Sequence, residues 1–281
     1  MEGARESLRY KIELTYQVRR NQTMIRKTYS SDISDVEWQL ISPLIPPPKS
    51  VGHPRTVNMR EIINAIFYLV RTGCAWRLLP HDFPPSSTVY FYFRRWQKKG
   101  VWEQINARLR EQVRVLSGRS PAPTAGIIDS QSVKTTDRGG EVGYDAGKKI
   151  KGRKRHILVD TNGLLLTVVV HRANIQDRQG AKAVFIQGID HSPILGKIWA
   201  DFGYSGSLVK SLPIVCGWTL EIVKRNSPGF KLLPRRWVVE RTFAWLSRFR
   251  RLSKDYEYLT EMSEAVVYVA MIRLMLKRLV S

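Results

Sequence analysis

Apolar residues recur along this chain with two different spacings, and the change between them divides it. From about residue 30 to residue 116 the spacing is helical. Ser34 and Glu37 in SDVEWQLISPLI make a capping-box pattern that predicts a short helix, which the proline run Pro46–Pro48 ends. A second helix is predicted from about Asn58 to Thr72, with Ile62, Ile63, Ile66, Phe67, Leu69 and Val70 on its apolar face. After a turn and loop, TGCAWRLLPHDFPP, Ser86 or Ser87 can cap a third helix, STVYFYFRRWQKKG. A fourth, VWEQINARLREQVRVL, follows Gly100. Residues 117–125, rich in Ser and Pro, read as a linker.

From residue 126 the texture changes to strands. GIIDSQS predicts a short strand, and GRKRHILVDTNGLLLTVVVHRA two strands joined by a turn at Asn162–Gly163. A helix then starts after Asp177, followed by a strand in KIWADFGYSG, a short helix in GSLVKSL and a strand in WTLEIVKR. The last two helices are expected over Arg235 to about Arg250 and Ser263 to Leu279. Strands interleaved with helices in this order pack as a mixed sheet flanked by helices. The expected class is α/β, a ribonuclease-H-like fold over residues 126–281, preceded by a small all-helical domain over 30–116. Residues 1–29 carry too few apolar positions for a domain and read as an extension, with Met24 as a second plausible start.

Composition adds a partner. The 281 residues hold 46 Lys and Arg against 24 Asp and Glu, a formal net charge of +22. A compact chain with that charge repels itself, and a polyanion relieves the repulsion, so nucleic acid is the first candidate. Arg94, Arg95, Lys98 and Lys99 crowd the end of the third helix, which suits a helix-turn-helix-like DNA binder. The run at 148–156 holds seven groups that can be basic in nine positions; phosphate contact is expected of Lys151, Arg153, Lys154 and Arg155, and of Lys134 nearby. Cys74 and Cys216 stand in no ligand or redox spacing, so neither a zinc site nor a disulfide is expected. No apolar run is long enough to cross a bilayer and no apolar signal segment opens the sequence. A cytoplasmic, nucleoid-associated protein is the expectation.

The candidate chemistry lies in the acids. Asp129 and Asp201 each end a predicted strand, where sheet crevices commonly hold active sites. Glu240 sits on a basic amphipathic helix with Arg236, Arg248 and Arg251 near its face and Val239, Phe243 and Leu246 as an apolar stripe. Three carboxylates from separate elements can hold magnesium, a hard ion that suits oxygen ligands and in-line displacement at phosphorus. The alternatives are a turn or cap role for each Asp and an i,i+4 ion pair for Glu240. Asp160 fits the Asn162–Gly163 turn; Asp137, Asp145 and Asp177 read as loop or cap residues; His53, His81 and His191 are isolated.

IIDSQSVKT, WADFGYSG and RRWVVERTFAWLSRFRRLSKDYE resemble, in order, the three acidic motifs of the DDE transposases of bacterial insertion sequences. GRKRHILVDTNGLLL, SDISDVEWQLISPLIP and NAIFYLVRTGCAWRLLPHDFPP are similar to further parts of that family, so the resemblance covers about residues 30–260. It implies that Asp129, Asp201 and Glu240 bind Mg2+, with Mn2+ as a substitute. It further implies cleavage at the element's ends, transfer of the freed 3′-hydroxyl to target DNA, recognition of terminal inverted repeats by the helical domain, and a homodimer or larger assembly on DNA. A broader family pattern puts Tyr, Arg, Glu and Lys along the last motif. Arg236 takes the Arg position, but Leu233 and Ser247 stand where Tyr and Lys are expected, with Arg248 adjacent as the inferred phosphate contact. A ribonuclease-H-like nuclease without strand transfer, a non-enzymatic DNA binder and an inactive remnant remain as alternatives.

Overall fold

The computed structural model describes residues 26–48, 50, 55–137, 139–223 and 236–281. The N-terminal extension through residue 25, His53, and Leu233 with its expected loss of a Tyr role lie outside the described residues. Residues 31–281 form one compact unit.

Among the described residues four helices come first: α1 (Asp35–Ile41), α2 (Met59–Thr72), α3 (Ser86–Lys98) and α4 (Val101–Leu116). Their ends follow local chemistry. Ser34 and Glu37 complete the capping box of α1. Asn58 caps α2, and Gly73 closes it at φ 77°, a left-handed turn that glycine adopts without strain. Pro85, rather than either serine, stands at the cap position of α3, and no side chain bonds there.

The strands are β1 (Ala125–Lys134), β2 (Gly143–Asp145), β3 (Ile150–Asp160), β4 (Leu165–Arg172), β5 (Lys197–Ala200) and β6 (Thr219–Ile222). They form one sheet in the order β2-β3-β1-β5-β6, with β4 also on β3. The β1–β3 and β3–β4 pairs are antiparallel, while β5 runs parallel to β1 and β6. Asn162–Gly163 turns the β3–β4 hairpin, with Gly163 at φ 81° and the Asp160 carboxylate accepting from the Asn162 and Leu164 N–H groups. The three-residue β2 had no signal in the sequence.

The remaining helices are α5 (Asp177–His191), α6 (Ser207–Cys216), α7 (Arg236–Leu246) and α8 (Thr260–Val280). Helices α5 and α6 share a core with Ile128, Leu158, Leu166, Ile198 and Leu220 of the sheet. Helix α8 lies along β4 and α4 packs on α8, so the N-terminal helices and the sheet meet directly. Asn106 and Arg110 of α4 both donate to the Leu165 carbonyl, and Arg114 pairs with Asp160 at 2.6 Å. The arrangement is ribonuclease-H-like. The helix carrying Glu240 ends at Leu246, not near Arg250. Beyond it Phe249 and Leu252 turn into the core, and Arg251 leaves the Glu240 face to pair with Glu257. Among the described residues no helix is long and apolar enough to cross a membrane. Cys74 and Cys216 are free thiols at the margin of the core.

Candidate active site

The strand order brings the two aspartates together. β1 and β5 run side by side and parallel, with Ile127 opposite Trp199. Asp129 lies two residues on along β1, and Asp201 follows the last residue of β5. The Asp201 side chain accepts from the Gly203 N–H at 2.9 Å and caps the turn Phe202–Tyr204. Asp129 accepts from the Ser130 N–H at 2.7 Å. Burial, opposed by that bond, pushes its carboxyl up to about 6, with the Asp201 charge adding to the rise and Arg236 and Lys148 resisting it. Asp129 and Asp201, close enough for the charge of the second to perturb the first, form the floor of a site.

Helix α7 packs against β1 and supplies the third acid. Arg236, in its first turn, reaches both ways: its Nη2 lies 3.8 Å from Asp201 Oδ2 and 3.5 Å from Glu240 Oε1. Glu240 is exposed and held to Arg236 rather than against the aspartate pair. Val239, Thr242 and Leu246 anchor the helix. Among the described residues no group of three or more Asp, Glu, His or Cys side chains is arranged to hold a metal ion.

Tyr204 is buried beneath this floor. Its hydroxyl is pushed well up by burial and then by the charges of Asp129, Asp177 and Asp201. Asp177 is thus a further acid near the site, where local sequence indicated only a helix start. Its Oδ1 accepts from Ser130 Oγ at 2.8 Å and lies 3.0 Å from Lys154 Nζ. Burial favours its neutral form, but the bonds from His156, Lys154 and Ser130 hold it far below the usual carboxylate range.

The basic candidates separate into two sets. Arg94, Lys98, Lys99, Lys134, Lys151 and Arg248 are exposed. Arg95 and Lys99 also line a groove with Arg55, Tyr92, Trp96 and Pro46–Pro48. Arg153, Lys154 and Arg155, expected to contact phosphate, are buried instead. Arg153 donates to the carbonyls of Glu141, Glu257 and Tyr258 and lies 3.4 Å from Asp255. Arg155 donates to the Leu252 and Lys254 carbonyls, and Lys154 to that of Ile175. The physical reason is position: β3 has neighbours on both edges and helices over it, so its cations are covered and draw their partners from the chain that covers them.

A family model described as "Transposase DDE domain" matches residues 120–275, more than half of the chain. A second, "Putative transposase of IS4/5 family", matches residues 33–106. The "Insertion element IS402 uncharacterized 16.2 kDa protein" of Burkholderia cepacia is 31% identical over 117 residues, covering 40% of this chain and 78% of that protein. The "Putative transposase for insertion sequence element IS402" of the same organism is 34% identical over 114 residues, covering 38% of this chain and 54% of that protein. The chain therefore spans about half the length of this second relative. A solved structure, "Mos1 transposase paired-end complex with left transposon end", aligns over 82% of this chain and 80% of that chain, with a TM-score of 0.26 and 11% identity.

Proposed function

This chain belongs to the DDE transposase family, and on that premise we propose that Asp129, Asp201 and Glu240 are the carboxylates with which it cleaves and joins insertion-sequence DNA. The observation that carries the reading is the approach of Asp129 and Asp201 just past the point where the parallel strands β1 and β5 stop pairing, close enough for the Asp201 charge to raise the Asp129 pKa. Support for Glu240 is its shared cation, Arg236, which also faces Asp201.

The donor set suits a divalent ion in part. Asp129 and Asp201 are hard oxygen donors whose mutual repulsion a cation would relieve, whereas Glu240 is turned to Arg236. Asp129 and Asp201 would hold the ion, with Glu240 as the remaining ligand. When bound, magnesium, or manganese in its place, supplies activation of the attacking oxygen and neutralisation of the leaving one.

Water attacks the phosphodiester at an element end, the bond from phosphorus to the 3′-oxygen breaks, and a 3′-hydroxyl is freed. That hydroxyl then attacks a phosphodiester of target DNA, forming a new bond to phosphorus as the target's own 3′-oxygen leaves. Arg236 lies where it can offset phosphate charge beside the acids. Lys134 and Lys151 are exposed on the neighbouring ends of β1 and β3, and Arg248 beyond α7; they grip the backbone. Arg94, Arg95, Lys98 and Lys99 on α3 hold the terminal inverted repeat. Two ends must meet for transposition, so a homodimer or larger assembly forms on DNA, in the cytoplasm at the nucleoid.

The test is a labelled element end incubated with target DNA and magnesium. Asp129→Asn, Asp201→Asn and Glu240→Gln should each lose cleavage and joining while binding the end normally. Cleavage at the wild-type rate by one of them removes that residue from the site. Cleavage without joining by the wild-type protein makes it a nuclease.

A further inference from the structure

Asp129 lies where β1 loses a neighbour. β5 pairs with β1 only from Ala125 to Ile127, so from Asp129 to Val133 β1 is paired along one edge, by β3. Side chains alternate along a strand, so Ile128, Ser130 and Ser132 share the face opposite Asp129. Ile128 belongs to the apolar core under α5. At Ser130 that face turns polar, behind the acid.

The polar stretch is a closed ladder. Ser130 Oγ donates to Asp177 Oδ1 at 2.8 Å, and Ser132 Oγ to Asp145 Oδ2 at 2.6 Å. Lys154, opposite Ser132 on β3, stands between the two carboxylates, 3.0 Å from Asp177 and 3.5 Å from Asp145. Lys148 completes it: its N–H donates to Asp145, and its Nζ to the Ser130 carbonyl at 3.0 Å. Close packing brings Asp177 into reach. A Cβ at Gly180, one turn along α5, would fall 2.4 Å from His171 and 2.5 Å from His156, so only glycine lets the helix sit this low. Buried ionic groups are costly, and apolar residues of similar volume often serve stability as well. Stability alone therefore does not account for a ladder placed behind Asp129.

The geometry points to Asp177, with Lys154 and Asp145, as positioning residues for Asp129, an inference that rests on Asp129 being catalytic. The link runs through Ser130. Its hydroxyl is fixed by Asp177, its carbonyl by Lys148, and its N–H donates to Asp129 Oδ1. Fixing that residue on the reverse face sets the direction of the carboxylate on the front. Lys154 is thus a strut and not a phosphate contact.

Single-turnover cleavage of a labelled end tests this, with Asp177→Asn, Asp177→Glu, Ser130→Ala and Asp129→Asn compared at matched folded fraction. Supporting residues of this kind cost about 10–100-fold when removed. Asp177→Asn should lose that much in rate at saturating DNA, with no change in the DNA concentration giving half the rate. Asp177→Glu, which keeps the charge, should recover part of the loss. Ser130→Ala cuts the link without leaving a buried charge unpaired and should slow cleavage with little change in melting temperature. The inference is overturned if Ser130→Ala and Asp177→Asn cleave at the wild-type rate while Asp129→Asn is dead. It is equally overturned if the loss in Asp177→Asn disappears on correction for unfolded protein. Wild-type cleavage by Asp129→Asn overturns the catalytic reading itself, and this inference with it.

Discussion

Replacing Arg153 with methionine separates a cation that holds the fold from one that holds DNA. The guanidinium is wholly buried, donates to three backbone carbonyls, and faces the buried Asp255 carboxylate. Methionine fills much of the space but leaves these acceptors behind. Asp255 keeps the Ser263 hydroxyl and the Glu257 N–H and loses its cation. Removing one partner of a buried ion pair costs about 3–5 kcal/mol. For a chain of this size that is a fall in melting temperature on the order of 10 °C. A phosphate contact would behave differently: the melting temperature would hold, and the slope of log affinity against log salt would shrink by about 1. Thermal denaturation and a salt titration of end binding, the latter well below the melting point, give both readings. Lys151→Ala is the control, since Lys151 is exposed, and should show a shallower salt slope and an unchanged melting temperature. An unchanged melting temperature with a shallower slope for Arg153→Met would refute the burial argument.

Other outcomes follow from the same structure. Burial pushes the Glu264 carboxyl up to about 8, with the charges of Glu103 and Glu261 adding to the rise. The native state therefore prefers the protonated acid: its contribution is full below the unfolded value of about 4.3 and is lost as pH climbs through the folded one. Melting temperature should decline across that window and decline less in Glu264→Gln; parallel curves would show that Glu264 is not the cause. Gly163→Ala places a Cβ 2.7 Å from Thr242 Oγ1 at a φ of 81° and should cost about 1–3 kcal/mol, read by denaturant unfolding; an unchanged midpoint would mean the turn is not held as described. Neutralising Arg236 or Arg248 should weaken end binding and flatten its salt dependence, and affinities equal to wild type across the titration would remove both from the DNA contact.

What was legible in the sequence is what local chemistry determines. Ser34 with Glu37 and Asn58 announce helix starts because their partners lie two or three residues away. Asn162–Gly163 announces the hairpin because its turn requires a left-handed residue. Asp201 was legible from a strand end together with its family motif, and Asp129 from its motif alone, since β1 does not end there but runs on to Lys134. The misread residues are those whose partners are remote. Arg153 bonds to residues 104 and 105 positions away, so the run at 148–156 gives no sign that its three successive cations at 153–155 are all buried. Asp177 looks like any acid at a helix start; its bond to Ser130 spans 47 positions. The two serines in DSQS were the available signal, since an apolar alternation broken by hydroxyls asks for a buried polar partner. The end of α7 was missed because Phe249 and Leu252 leave the helix to reach a core that helical periodicity cannot see.

The central claim is that three carboxylates form one active site, and Glu240 is the member the structure holds furthest from the aspartate pair. Its most direct test is release of a 3′-hydroxyl from a saturated, labelled element end in one turnover with magnesium, comparing wild type, Asp129→Asn, Asp201→Asn and Glu240→Gln. All three variants should bind the end with wild-type affinity and release no detectable 3′-hydroxyl. Release by Glu240→Gln at the wild-type rate, with both aspartate variants inactive, would contradict the account and leave α7 as a DNA-gripping helix beside a two-aspartate site.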